Sequence, residues 1–148
     1  MTTAADPNPV QRPLTLVVQA RDPRHYDRLV AAVTALQTKP PPLNPVFTAL
    51  ETIRIVHFAR FVFLGDRRLA VITTYDGSFE HYILDFVAEL HPVFDRLLAH
   101  VEGWPEGWSV REHPDEFLEF VRERDLPCVG AFYSAYPDQS VMAIRGGS

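Results

Sequence analysis

The sequence predicts an α+β fold in which one antiparallel sheet carries helices on a single face. Three observations lead there. LTLVVQA (14–20) is a continuous apolar run rich in β-branched residues and too short for a helix. Further on, two apolar runs flank the short polar turn GDRR (65–68), which is a hairpin signal. Between and after these runs, apolar residues recur at helical spacing, from Tyr26 to Leu36 and from Phe79 to Val101.

Each element follows in order. Residues 1–13 hold three prolines and no periodicity, and read as a loose arm before a single domain spanning 14–145. After the first strand, Asp22 and Pro23 supply an N-cap and a first helical residue, and Tyr26, Leu29, Val33 and Leu36 form one apolar stripe. KPPPLNP (39–45) is a stiff connector, because proline fixes φ and removes donors. A long strand-like segment runs from about Thr52 to Leu64, and LAVITTY (69–75) pairs with it across the turn. In RIVHFARFVFL, Phe58 and Val62 face one way and Phe61 and Phe63 the other.

Ser78 caps the next helix, whose stripe runs through Phe79, Ile83, Phe86, Val87 and Leu90 to Phe94, Leu97, Leu98 and Val101. Pro92 should kink or split it near His91. GWPEGW (103–108) is a loop, HPDEFLEFVRE (113–123) a short helix, and PCVGAFYSAY (127–136) a last strand. The order β-α-β-β-α-(α)-β describes a ferredoxin-like sandwich. Its strands look apolar on both sides, so the sheet face without helices needs a cover. Two copies packed sheet to sheet supply one.

The composition bounds the partners. The chain has 148 residues, a hydrophobic fraction of 47% and a net charge of −5. It has no basic cluster larger than Arg67-Arg68, which argues against nucleic acid. No window reaches transmembrane length, and the N-terminal stretch lacks an apolar signal region, so a cytoplasmic protein is expected. Arginine far outnumbers lysine (only Lys39), a sign of a GC-rich bacterial genome. The single Cys128 has no internal partner and reads as a small packed hydrophobe.

HFARFVFL, RRLAVITTYDGSFEHYILDFV and FYSAYPDQSV, with the element order over residues 14–136, resemble the dimeric α/β-barrel superfamily and a bacterial family within it. That superfamily includes small antibiotic-biosynthesis monooxygenases, stress-response barrels, and the haem-binding chlorite-dismutase and dye-decolorising-peroxidase groups. The resemblance implies a homodimer and a cavity beside the sheet.

Candidate chemistry centres on the hairpin. With Leu64 opposite Leu69, Phe58 lies opposite Tyr75, Arg60 opposite Thr73, and His57 opposite Asp76, within reach of a hydrogen bond. An acid beside a histidine orients a general base. Equally, Asp76 precedes a helix start and serves as a cap, or the pair is structural. Arg60, between Ala59 and Phe61, either anchors a carboxylate or haem propionate, or pairs with an acid at the strand edge. His81, Asp85 and Glu89 share a helix face and read as solvated surface rather than a metal site. Tyr133 and Tyr136 are candidates to line a pocket. Nucleotide-loop, serine-elbow and zinc-protease motifs are absent.

The expected function is binding of a small apolar or aromatic molecule between sheet and helices. Oxygenase, cyclase or isomerase chemistry would use His57 as base, Asp76 as its orienter and Arg60 as anion anchor, with Phe58, Tyr75, Tyr133 and Tyr136 around the ligand. No cofactor is expected in that reading. The alternatives are a haem-binding, peroxidase-like protein with a histidine on iron, and a non-catalytic dimerisation module.

Overall fold

The computed structural model describes residues 10–146. The elements are β1 (Gln11–Gln19), α1 (Pro23–Gln37), a 3₁₀ turn (Pro41–Leu43), α2 (Pro45–Ile53), β2 (Val56–Leu64), β3 (Arg68–Asp76), α3 (Phe79–Leu98), α4 (Pro114–Arg124) and α5 (Val141–Ile144). The three strands form one antiparallel sheet in the order β1-β3-β2. The fold is therefore α+β.

The sheet has two unlike faces. Leu14, Val18, Leu69 and Tyr75 point into a core shared with Leu29 and Val33 of α1, Ile83, Phe86 and Leu97 of α3, and Phe117 and Val121 of α4. Phe61 and Phe63 of β2 pack on the same side. The other face carries Val17, Ile72, Phe58, Val62 and Leu64; its Gln11–Asp76 end is held against the C-terminal segment where α5 begins, and none of α1 to α4 packs over it. Phe58 there is 76% exposed. The alternation read from RIVHFARFVFL is present as expected.

Local chemistry explains the helix starts. The Asp22 side chain accepts the His25 amide, with Pro23 first in α1. The Ser78 side chain accepts the His81 amide at the start of α3. Asp76 therefore does not cap α3.

Several expectations are corrected. β1 begins at Gln11, so residues 11–13 belong to the sheet rather than to an arm; residues 1–9 lie outside the described residues. The segment expected as strand from Thr52 is helical to Ile53, because Asn44 caps α2 and Pro45 starts it. Arg54, in the left-handed region, then turns the chain into β2.

α3 runs unbroken through Pro92. Proline there costs roughly 3 kcal/mol against alanine. Leu90, Val93, Leu97 and Leu98 bury one stripe on both sides of it, which offsets that cost. Pro92 and Ala88 are exposed, so water reaches the carbonyl that loses its donor.

The last strand does not form. Leu126 donates its amide to Thr15 and an isolated bridge joins Leu16 to Asp125, after which pairing stops. Continuing that register would set Pro127 against Leu14 and Cys128 against Pro13. Two prolines in adjacent pairs remove the donors a ladder needs. Gly130, at φ 73°, turns the chain away. Cys128, expected in a packed strand, is consequently exposed.

Candidate functional site

His57 and Asp76 do meet: His57 Nε2 lies 2.7 Å from Asp76 Oδ1. The expected register does not bring them there. Leu64 pairs with Arg68, and Asp66 and Arg67 both adopt positive φ in a three-residue turn. Phe58 is thus opposite Thr74 and Arg60 opposite Ile72, each one residue from expectation. A one-residue shift should move His57 to the other face. A bulge between Val56 and Phe58 inserts one residue and restores it.

Asp76 uses both oxygens. Oδ1 takes His57, and Oδ2 accepts the Val141 amide at 2.8 Å. Gln11, its partner in the sheet, donates Nε2 to the carbonyls of Tyr136 and Gln139, each at 2.9 Å. Gln11, Asp76 and His57 therefore form a polar row across the three strands, and the row grips the backbone of the C-terminal segment. An ion pair between Arg145 and Glu51 of α2 extends that attachment. The His57 and Asp76 side chains are 7% and 10% exposed.

Three spaces bear on ligand binding. The gap between sheet and helices is an apolar slot of about 50 Å³ beside Leu14, Leu50, Phe61, Ile83 and Phe94. A cavity that holds benzene is about 150 Å³, so an aromatic ligand does not fit there. As it stands, the space between sheet and helices is smaller than the ligand that the sequence reading placed there. Large side chains, with stacked Tyr75 and Tyr82 (centroids 4.0 Å apart) among them, fill the space. Thr73 Oγ1 and Tyr82 Oη satisfy each other at 2.7 Å, and burial pushes the Tyr82 hydroxyl well above its usual range.

The second space is a hollow of about 300 Å³ on the uncovered face, lined by Phe58, Ala59, Arg60, Ile72, Thr73 and Thr74. Arg60 is exposed and makes no hydrogen bond or ion pair among the described residues. The expected strand-edge acid is not there. The third space, about 360 Å³, lies at the end of β1 beneath the chain after α4.

Tyr133 and Tyr136 are exposed in the irregular segment and line none of these spaces. Neither His57 nor Asp76 lines one, and no histidine does. His81 lies 3.5 Å from Asp85 on an exposed face, and no group of three metal-ligating side chains occurs among the described residues.

Sequence reasoning missed Gln11 and Asp125. Gln11 stands in a stretch read as a loose arm. Asp125 follows a helix with no pattern around it, although a polar residue just before Leu-Pro is a signal of a strand that stops. No helix among the described residues is long and apolar enough to cross a membrane.

No family model, curated protein or solved structure matches this chain.

Proposed function

We propose that this protein is a homodimeric small-molecule-binding protein that takes an apolar or aromatic acid in the hollow on its uncovered sheet face. One observation carries the reading. A guanidinium without a partner, Arg60, stands beside the exposed ring of Phe58 on a concave surface of about 300 Å³. That volume lies at the lower end of the range of ligand pockets. Arginine offers a carboxylate a planar two-pronged donor, and Phe58 and Ile72 offer its body an apolar floor. A second copy laid over the same face would cover Val17, Val62, Leu64 and Ile72 and close the hollow. This is also the arrangement that a ferredoxin-like dimeric α/β barrel would have.

The reading favours binding over turnover. A general base must reach its proton at about 2.6–3.2 Å. His57, the best base in the sequence, spends Nε2 on Asp76 and lines none of the three spaces.

Phenylacetate is the test ligand. Titration should give saturable shifts at Phe58, Arg60 and Ile72 amides, and Arg60→Ala should weaken binding at least tenfold with the melting temperature unchanged. Light scattering should give a mass near twice 16.8 kDa, and Phe58→Glu should halve it. A wild-type monomer that binds no carboxylate at millimolar concentration would remove the proposal.

A further inference from the structure

The space at the end of β1 is a second candidate site, of opposite chemistry. About 360 Å³ opens between β1, Tyr75 and the segment after α4. Tyr75 lies on its wall and is 3% exposed. Its ring stacks on Tyr82, but its hydroxyl has no hydrogen-bond partner among the described residues. A buried phenol ordinarily finds a partner, so this one calls for an explanation. Asp125 stands on the same wall. Its Oδ1 accepts the Thr15 amide at 3.0 Å, while Oδ2 is unpartnered among the described residues. The site thus presents one hydroxyl and one acceptor oxygen of a carboxylate, both unspent. Pro13, Leu126, Pro127 and Phe132 supply apolar walls around them.

We propose that this space binds a small organic amine, its ammonium group donating to Asp125 Oδ2 and to the Tyr75 hydroxyl oxygen, its apolar body lying against Leu126 and Phe132. The local electrostatics agree. Burial holds the Asp125 carboxyl above its usual range, and burial and then the charge of Asp125 push Tyr75 up to about 12. A carboxylate in that state gains from a cation that restores what desolvation took away. Arg12 is the cation on the wall: it stands opposite Tyr75 in the strand pairing, its charge draws the Tyr75 hydroxyl down against burial and Asp125, and its Nε donates to the Gly77 carbonyl. The site is independent of the hollow around Arg60, which lies on the other face of the sheet.

The experiment uses 2-phenylethylamine as probe and phenylacetate as its charge-reversed counterpart, on the full chain. Amide shifts of Thr15, Tyr75, Asp125 and Leu126 report the site, and the alkylation rate of Cys128, the chain's one thiol and part of the wall, reports occupancy. Saturable binding of the amine with slowed alkylation is expected. Asp125→Asn, which keeps an oxygen for Thr15, should weaken it at least tenfold, and Tyr75→Phe several-fold, while Arg60→Ala leaves it unchanged. Absence of saturation with the amine, equal binding by Asp125→Asn, or tighter binding of phenylacetate at these amides would overturn the proposal.

Discussion

Two histidine contacts join distant parts of this chain, and they are built on opposite principles. His57 meets a carboxylate, Asp76, at one end of the sheet. His25, in the first turn of α1, meets another histidine, His100, just past α3, with their Nδ1 atoms 2.9 Å apart. The first pair is complementary in charge: protonating His57 leaves a donor facing an acceptor. The second needs one Nδ1–H and one lone pair, so it exists only while neither ring gains a further proton. Two imidazolium rings would set like charges and two N–H groups face to face. The neighbours sharpen the contrast. Arg21 bonds the carbonyls of Ala99 and Trp104 beside His100, Arg28 also acts on His100, and Asp22 is the acid beside His25. The charge complementarity of the first clasp is absent from the second, which opens in acid.

The largest effect should come from the carboxylate. Asp76→Ala strands the amide of Val141 and the His57 ring at once. It should cost about 3 kcal/mol and roughly 10 °C in melting temperature. Calorimetry at neutral pH decides it, and a change under 2 °C would show that the row across the strand ends does not hold the C-terminal segment.

The acid response separates the two clasps next. Burial first, then His25, Arg28 and Arg21, holds His100 below its usual value of 6.5. The folded chain therefore binds its proton less readily than the unfolded chain. This contribution to stability is complete above about pH 6.5 and is lost as the pH falls from there towards the lowered folded value. Melting temperatures from pH 8 to 5 should decline in the wild type and decline less in His100→Gln. Parallel curves would refute the assignment.

Gln11→Ala should be milder, near 1 kcal/mol, since two tail carbonyls lose a donor but lie close to water. Hydrogen exchange should rise at Gln139 and Val141 and not at β3. The smallest effect is expected of Arg145→Ala. Its pair with Glu51 is exposed, so melting should stay within error and the residual difference should vanish in salt.

The hairpin and the C-terminal segment show where sequence reasoning holds. The fold class, the core stripe of α1, the caps at Asp22 and Ser78 and the two faces of β2 follow from local rules: periodicity, a side-chain oxygen before a helix, alternation along a strand. Those rules need only near neighbours in the chain. The meeting of His57 and Asp76 was expected for a reason that turned out incomplete: the turn shifts the register by one, and the bulge at His57 shifts it once more in the same direction, which returns His57 to the face of Asp76 without setting the two directly opposite. Whether the row Gln11–Asp76–His57 holds a tail or serves a ligand could not be read from the hairpin, because Val141 and Tyr136 reach it from the other end of the chain.

What the sequence determined by itself is therefore β1, α1, the β2–β3 hairpin, α3 and α4, and the apolar side of each. Tertiary structure decided three things: that α3 passes through Pro92, that residues 127–136 leave the sheet, and that Arg60 faces open space while Asp125 and the buried Tyr75 border a hollow. Each depends on a balance between distant groups. Burial of a shared stripe offsets a missing donor in α3, two prolines from separate segments meet at the edge of β1, and a polar atom is free or satisfied according to what the rest of the fold places beside it.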